Sequence, residues 1–333
     1  MKTLRFILLT TLAILVVATI TGCGATGAPS DQGTTDSSST TGDSSDSSSS
    51  DTNGGSETNT GDEPGASYPS VDACTGEVCN LSGSFVLRQP VSTGNKNVID
   101  YTSRFGSYRA SNDTANRGVY FLISTGTPVL AAADGTVVVA GDDSTTSYGR
   151  AAKVYGNLVI LKHQIPGLSE PVFTLYGHLS EVGVAVDDTV NAGDEIGKVG
   201  NSGSISGSAL VFEVRVGNND IFSLSNPELW LEPIARNTGA IAGRVLDKSG
   251  NYVTIDNIVV ERLGEQGQPA LAQFYLQTYT RSDLIGLPPF EDSFAIGELP
   301  AGRYQLTFYL LKFYQMEVEV TAGEITYVTF TTE

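Results

Sequence analysis

Residues 207–217 read GSALVFEVRVG. From Val211 to Val216 apolar and polar residues alternate, the period of a strand with one buried face. The approach to it, GNSGSISGS (200–208), is a Gly- and Ser-rich turn of the kind that delivers side chains to a site. The side chains delivered, Ala209 and Val211, carry no chemistry. The stretches on either side decide whether this strand belongs to a site or only to a core.

Those stretches are further strands. GTVVVAG, NLVILKH, VFTLYGHL, GAIAGRVL, NIVVERL, YQLTFYL and ITYVTFTT are rich in Val, Ile, Tyr, Phe and Thr and are bounded by Gly, Asp, Asn and Pro. No long stretch has helical periodicity; SNPELWL (225–231) predicts one short turn. The fold class is all-β. A seam is expected between Ile234 and Thr238. Before it the strands are joined by irregular loops, and after it by short turns such as DKSGN, PAG and TAGE, as in a compact sandwich. Two folded domains are expected, 83–234 and 238–333.

The first part of the 333-residue chain reads differently. Lys2 and Arg5 precede an apolar run from Phe6 to Ile20, the layout of a secretory signal over 1–22. Ile20-Thr21-Gly22-Cys23 resembles a bacterial lipobox, which implies a diacylglycerol on Cys23 and an extracytoplasmic chain lipid-anchored to the bacterial cell membrane. Between Gly24 and Ser67 every charge is acidic among Ser, Thr, Gly and Asp, too polar to fold. Residues 23–82 are therefore expected to be a tether, with a reach of roughly 35–40 Å for its Gly/Ser-rich part. Cys74 and Cys79 suit a local disulfide in an oxidising compartment. The net charge of −18 argues against nucleic acid as a partner and against an electrostatic membrane contact.

The segments TGTPVLAAADGTVVVAG, YGNLVILKH, TLYGHLSEVGVAVDDTVNAGDEIGKVGNSGSISG and FEVRVG, in that order, resemble the LytM- or lysostaphin-type M23 peptidase family across residues 100–231. The resemblance implies a LytM-type barrel-sandwich. It also implies a zinc enzyme that cuts peptidoglycan peptides, with ligands from an HxxxD motif and from the second His of an HxH motif. The first His of HxH and a His in a YxHL segment would serve the zinc-bound water. Three ligands and one open position are what lower the pKa of that water.

Carried over by position, the pattern fails at the ligands. NRGVY stands for HxxxD, so Asn116 and Tyr120 occupy ligand positions; ALV stands for HxH, which puts Ala209 beside the third ligand position at Val211. His178 in LYGHL is the surviving family position. The expectation is a pseudo-peptidase that is not an enzyme, with no cofactor and zinc lost. Two readings stand for His178, a hydrogen-bonded structural histidine or a groove residue; His163 reads as structural. Asn116, Tyr120, Tyr176 and His178, with the loop Asn201–Ser208, are the candidates to line an open groove.

After the seam, AIAGRVLDKSGNYVTIDNIVVERL, DSFAIGELPAGRYQLTFYL and MEVEVTAGEITYVTFT resemble the carboxypeptidase regulatory-like, transthyretin-like β-sandwich family. An Ig/transthyretin-like sandwich without catalytic residues is implied there.

Three functions follow. The first is a membrane-anchored, non-catalytic protein that binds peptidoglycan or regulates a cell-wall hydrolase. The second is a metalloendopeptidase with substitute ligands, for which Asp113, Glu213 and Asp220 are the nearest carboxylates. The third is a purely structural surface protein with a closed groove.

Overall fold

The computed structural model describes residues 67–333 except 93, 95–98, 100–101, 108–114, 266–269, 280–283 and 285. The expected signal segment, Cys23, the tether up to residue 66 and Asp113 lie outside the described residues.

The strands are β1 (Val78–Ser82), β2 (Val119–Phe121), β3 (Pro128–Leu130), β4 (Gly135–Asp142), β5 (Asn157–His163), β6 (Val172–Val182), β7 (Thr189–Val190), β8 (Glu195–Val199), β9 (Leu210–Val216) and β10 (Leu224–Ser225). Then come β11 (Thr238–Leu246), β12 (Ile258–Arg262), β13 (Ala272–Leu276), β14 (Phe294–Pro300), β15 (Gly302–Leu310), β16 (Lys312–Val320) and β17 (Glu324–Thr331). Among the described residues the only helical pieces are single 3-10 turns at Val71–Ala73 and Pro227–Leu229, the second within the stretch read as a short turn. The protein is all-β.

β2 to β10 form one sheet, ordered β10–β9–β6–β5–β4–β7, with β2 added on β9 and β8 joining β6 to β3. β6 is buried from Val172 to Leu179, so both its faces are covered. Its near-continuous apolar sequence is what two covered faces require. On one face Tyr176, Leu210, Phe212 and Val214 join the main core. On the other, Phe173, Leu175, Leu158, Ile160 and Val211 form a second cluster with Tyr155.

The remaining strands make a sandwich of two sheets, β1–β17–β11–β14 and β13–β12–β15–β16, around Ile241, Val260, Phe294, Leu306, Phe308 and Val328. Here the structure corrects the tether. Val78–Ser82 lies in the segment assigned to it, yet β1 pairs antiparallel with β17 in register from Val78↔Val328 to Ser82↔Glu324. Only Leu81 is buried and Cys79 half-buried in VCNLS, too few inward positions for a strand to be legible. Cys74 and Cys79 are disulfide-bonded with Cα atoms 5.7 Å apart, joining β1 to the 3-10 turn before it.

The two sides of the seam share a core. Tyr68 stacks on Trp230 at 5.1 Å and meets Phe290 edge-on, and Tyr327 and Ala242 belong to the same cluster as Val119 and Phe212. Glu228 accepts from Arg104 and from the Gly297 N–H, and Glu298 accepts from the Ile234 N–H at 2.7 Å.

β15 and β16 form a long hairpin that closes at Leu310↔Lys312, with Leu311 alone at the apex at φ 60°. Tyr309, Leu311 and Phe313 project from this tip, 64, 87 and 78 % exposed. Within the sandwich, Asp292 is fully buried and neither carboxylate oxygen has a hydrogen-bond partner among the described residues. Burial pushes its carboxyl up to about 7.

Candidate functional site

Strand register brings the positions of interest together. Val211 on β9 lies between Tyr120 on β2 and Gly177 on β6. His178 follows Gly177, and its ring stacks on that of Tyr120 at 5.9 Å and 26°. Ala209 bridges to Gly200 at the start of the same strand. His178 takes a left-handed backbone, φ 66°, which turns it out of the β6 ladder. Its N–H donates to the Tyr155 carbonyl at 2.7 Å, and Nδ1 to the Ser202 carbonyl at 2.8 Å.

Asn116 does not join them. Its side-chain amide donates to the carbonyls of Thr102 and Arg104 and to Ser107 Oγ, at 2.8, 3.2 and 2.9 Å. It ties down the loop before β2.

Tyr176 is a correction. Adjacent residues of a strand face opposite sides, and Gly177 is the one across from Val211. Tyr176 therefore points into the main core, fully buried, where its hydroxyl accepts from the Ala132 N–H at 2.8 Å. It lines no groove. Thr174 Oγ1 lies 3.0 Å from this hydroxyl and 2.7 Å from His163 Nε2, while His163 Nδ1 is 2.8 Å from the Asp134 carbonyl. One donor order satisfies the whole chain. Tyr176 donates to Thr174, Thr174 to Nε2, and Nδ1–H to the carbonyl. His163 is then neutral, in keeping with burial lowering its pKa.

The expected open floor is closed. His178, Ala209, Val211 and Glu213 are each 1 % exposed. Tyr155 packs with Val211, and its segment, 143–156, is fastened by charges on the Val211 face of β9. Arg215 donates to Glu213 through Nε and Nη2, at 3.1 and 2.7 Å, and Nη2 also reaches the Tyr148 carbonyl at 2.8 Å. Tyr155 donates its hydroxyl to Glu213 Oε1. Burial, then the Glu213 charge, push the Tyr155 phenol well above its ordinary range, so it remains a donor. Burial opposes the Arg215 cation, but Glu213 more than compensates and its pKa is raised.

The turn is tight as well. A Cβ on Gly156 (φ +67°) would lie 2.3 Å from the Gly203 nitrogen, which fixes the Asn201–Ser208 loop against it. That loop remains largely exposed at the rim, beside a half-buried Tyr120.

Glu213 is thus committed to Arg215 and Tyr155. Asp220 Oδ1 accepts from the Phe222 N–H and Ser223 Oγ, closing its own turn. Among the described residues no group of three or more His, Cys, Asp or Glu side chains is placed to hold a metal ion. Among the described residues, the positions that the resemblance assigns to ligands do not fit zinc: an amide already engaged, a phenol stacked on imidazole, and a valine. What the sequence reading missed is the Tyr155–Glu213–Arg215 cluster. Its signal was the charges at Glu213 and Arg215, two and four residues beyond Val211 on the same face.

Among the described residues, the sheet carries two imidazoles and no convergent ligand set, so its class is defined less by chemistry than by sequence likeness. Peptidase family M23 matches residues 114–222, so the chain carries a domain of that family. A lipoprotein NlpD/LppB homolog of Pseudomonas aeruginosa is 36 % identical over 106 residues, 32 % of this chain and 31 % of that protein. The murein hydrolase activator NlpD of Escherichia coli is 32 % identical over 105 residues, covering 32 % and 24 %. Among solved structures, the catalytic domain of lysostaphin from Staphylococcus simulans is 28 % identical, covering 41 % of this chain and 95 % of that one, with a TM-score of 0.34. The chain spans less than a third of the length of these two curated relatives.

Proposed function

We propose that this chain is an envelope protein whose M23 domain regulates a cell-wall hydrolase by protein contact and does not itself cut peptidoglycan. A lipid on Cys23 would hold it at the membrane. The observation that carries the reading is the fate of the positions that the family resemblance assigns to ligands. Asn116 is spent on loop carbonyls, Val211 is packed under Tyr155, and Tyr120 is stacked on His178. A relative named as a murein hydrolase activator and another named as a lipoprotein support the same reading. The loop Asn201–Ser208 is exposed beside a half-buried Tyr120 and is available for contact with a partner.

The test is release of dye from labelled peptidoglycan by the full chain, by a wall amidase, and by both together. The expected result is no release by the chain alone and faster release by the amidase when it is present. Release by the chain alone, suppressed by a chelator, would establish a working peptidase instead. No effect on any wall hydrolase would leave a structural protein.

A further inference from the structure

The β15–β16 hairpin ends in an apolar tip that the sandwich does not use. Tyr309 and Phe313 flank the apex with their rings 5.2 Å apart, and Leu311 stands beyond them, 87 % exposed. Behind the tip, Phe308 and Tyr314 stack at 4.9 Å and pack against the sandwich core, so the projecting residues rest on a rigid base. The charge at the apex is already answered. Lys312 Nζ is 2.8 Å from Glu333 and lies over the Tyr314 ring.

We propose that this tip inserts into the interface of a lipid bilayer, as a second contact beside the lipid on Cys23. Three observations select a bilayer. The tip is convex, a single-residue apex on a two-stranded hairpin, and a protein partner would have to supply a pocket for it. Tyr, Phe and Leu with an adjacent Lys is the composition that settles at the headgroup boundary, where rings bury and the ammonium stays in water. And the sequence carries an apolar run, Phe6–Ile20, followed by Cys23, so on the membrane-anchored reading the sandwich works near a membrane. With a chain charge of −18, attraction to anionic lipid cannot be the cause, so the contact is apolar and insensitive to salt. The choice of a bilayer rests on the membrane-anchored reading; the insertion itself does not depend on any hydrolase.

The experiment uses the full lipidated chain in phosphatidylcholine vesicles with bromines on the upper acyl chain. Trp230, the one tryptophan, is fully buried and gives a constant background. Phe313→Trp adds a reporter at the tip, and Phe222→Trp adds one at an exposed position (81 %) in the turn after β9. An interfacial ring sits about 5–10 Å into the headgroup and acyl boundary, so the tip reporter should shift to the blue and lose about half or more of its emission to bromine. The Phe222 reporter should lose little. Adding Leu311→Asp to the tip reporter should return it to the level of that control, and raising the salt should change neither. Flotation with vesicles but no quenching at the tip overturns the insertion and leaves the anchor intact. Failure to float overturns both. Equal quenching at the two positions means non-specific adsorption, and a blue shift in buffer alone means that a second copy covers the tip; either result overturns the proposal.

Discussion

Asp292 should make the protein less stable as pH rises through the weakly acidic range. Its carboxyl is enclosed by the turn in which the Gly286 N–H donates to the Asp292 carbonyl; a Cβ on Gly286 would lie 2.6 Å from Oδ1. Among the described residues, the surrounding ionisable groups are Glu291, Arg244, Tyr252 and Tyr327. Arg244 is paired with Glu291 at 2.6 Å and so does not relieve the buried acid. The folded pKa of about 7 lies above the ordinary aspartate value of 3.8. Between those limits the folded state holds a proton that the unfolded state has released, so stability falls with rising pH. About three pKa steps at 1.36 kcal/mol each give roughly 4 kcal/mol lost between pH 4 and pH 8. Asp292→Asn keeps the shape and removes the ionisation. Its own packing and hydrogen-bond cost is independent of pH, so the slope is the readout. Urea unfolding followed by Trp230 fluorescence should show the variant gaining on the parent by roughly that amount from pH 4 to pH 8. Parallel profiles for the two proteins would mean that Asp292 does not enter the fold as a neutral acid.

Three more predictions follow from the site. Arg215→Ala leaves Glu213 in the interior without its cationic partner and should cost about 3–5 kcal/mol in urea unfolding, whereas Glu213→Gln with Arg215→Met should recover most of it. Equal losses would deny the ion pair its role in fastening segment 143–156. Tyr176→Phe strips the acceptor from the Ala132 N–H and should cost about 1–3 kcal/mol, with no effect on any activity of the domain. The full chain, equilibrated with buffered zinc and freed of loosely held metal, should retain none. One tightly bound zinc per chain would return the reading to a peptidase with substitute ligands.

Much of the fold was legible because β4, β5, β6, β9, β11, β12, β15 and β17 carry β-branched and aromatic runs between Gly- and Asp-rich turns. The obscure strands are those with few inward-facing positions. β1 has two inward residues and is a strand only because β17 is there to pair with it. β13, AQFYL, is half-exposed along its whole length and offers a weak pattern. In the site, the residue types at Asn116, Tyr120, Ala209 and Val211 could be read directly. Which way Tyr176 faces could not, because that depends on Gly177 lying opposite Val211, a matter of register between strands. The closure of the floor was hidden for a similar reason. Glu213 and Arg215 are visible as charges on an apolar face, but Tyr155 meets them only after the 143–156 segment folds back.

The pairing of β1 with β17 sets an order in time. On a chain made from its N-terminus, β1 is complete long before its partner. All of β2 to β10 emerges in between, and Ser82 meets Glu324 only after a separation of 242 residues. The M23 sheet can close on its own strands, whereas the sandwich sheet that holds β1 cannot, since β17 lies between β1 and β11. Such non-local pairing is slow because chain closure precedes its reward. β17 is therefore the keystone. A chain that stops before Glu324 leaves β1 without a partner and one edge of β11 bare, two strands with open backbone that invite pairing with other chains.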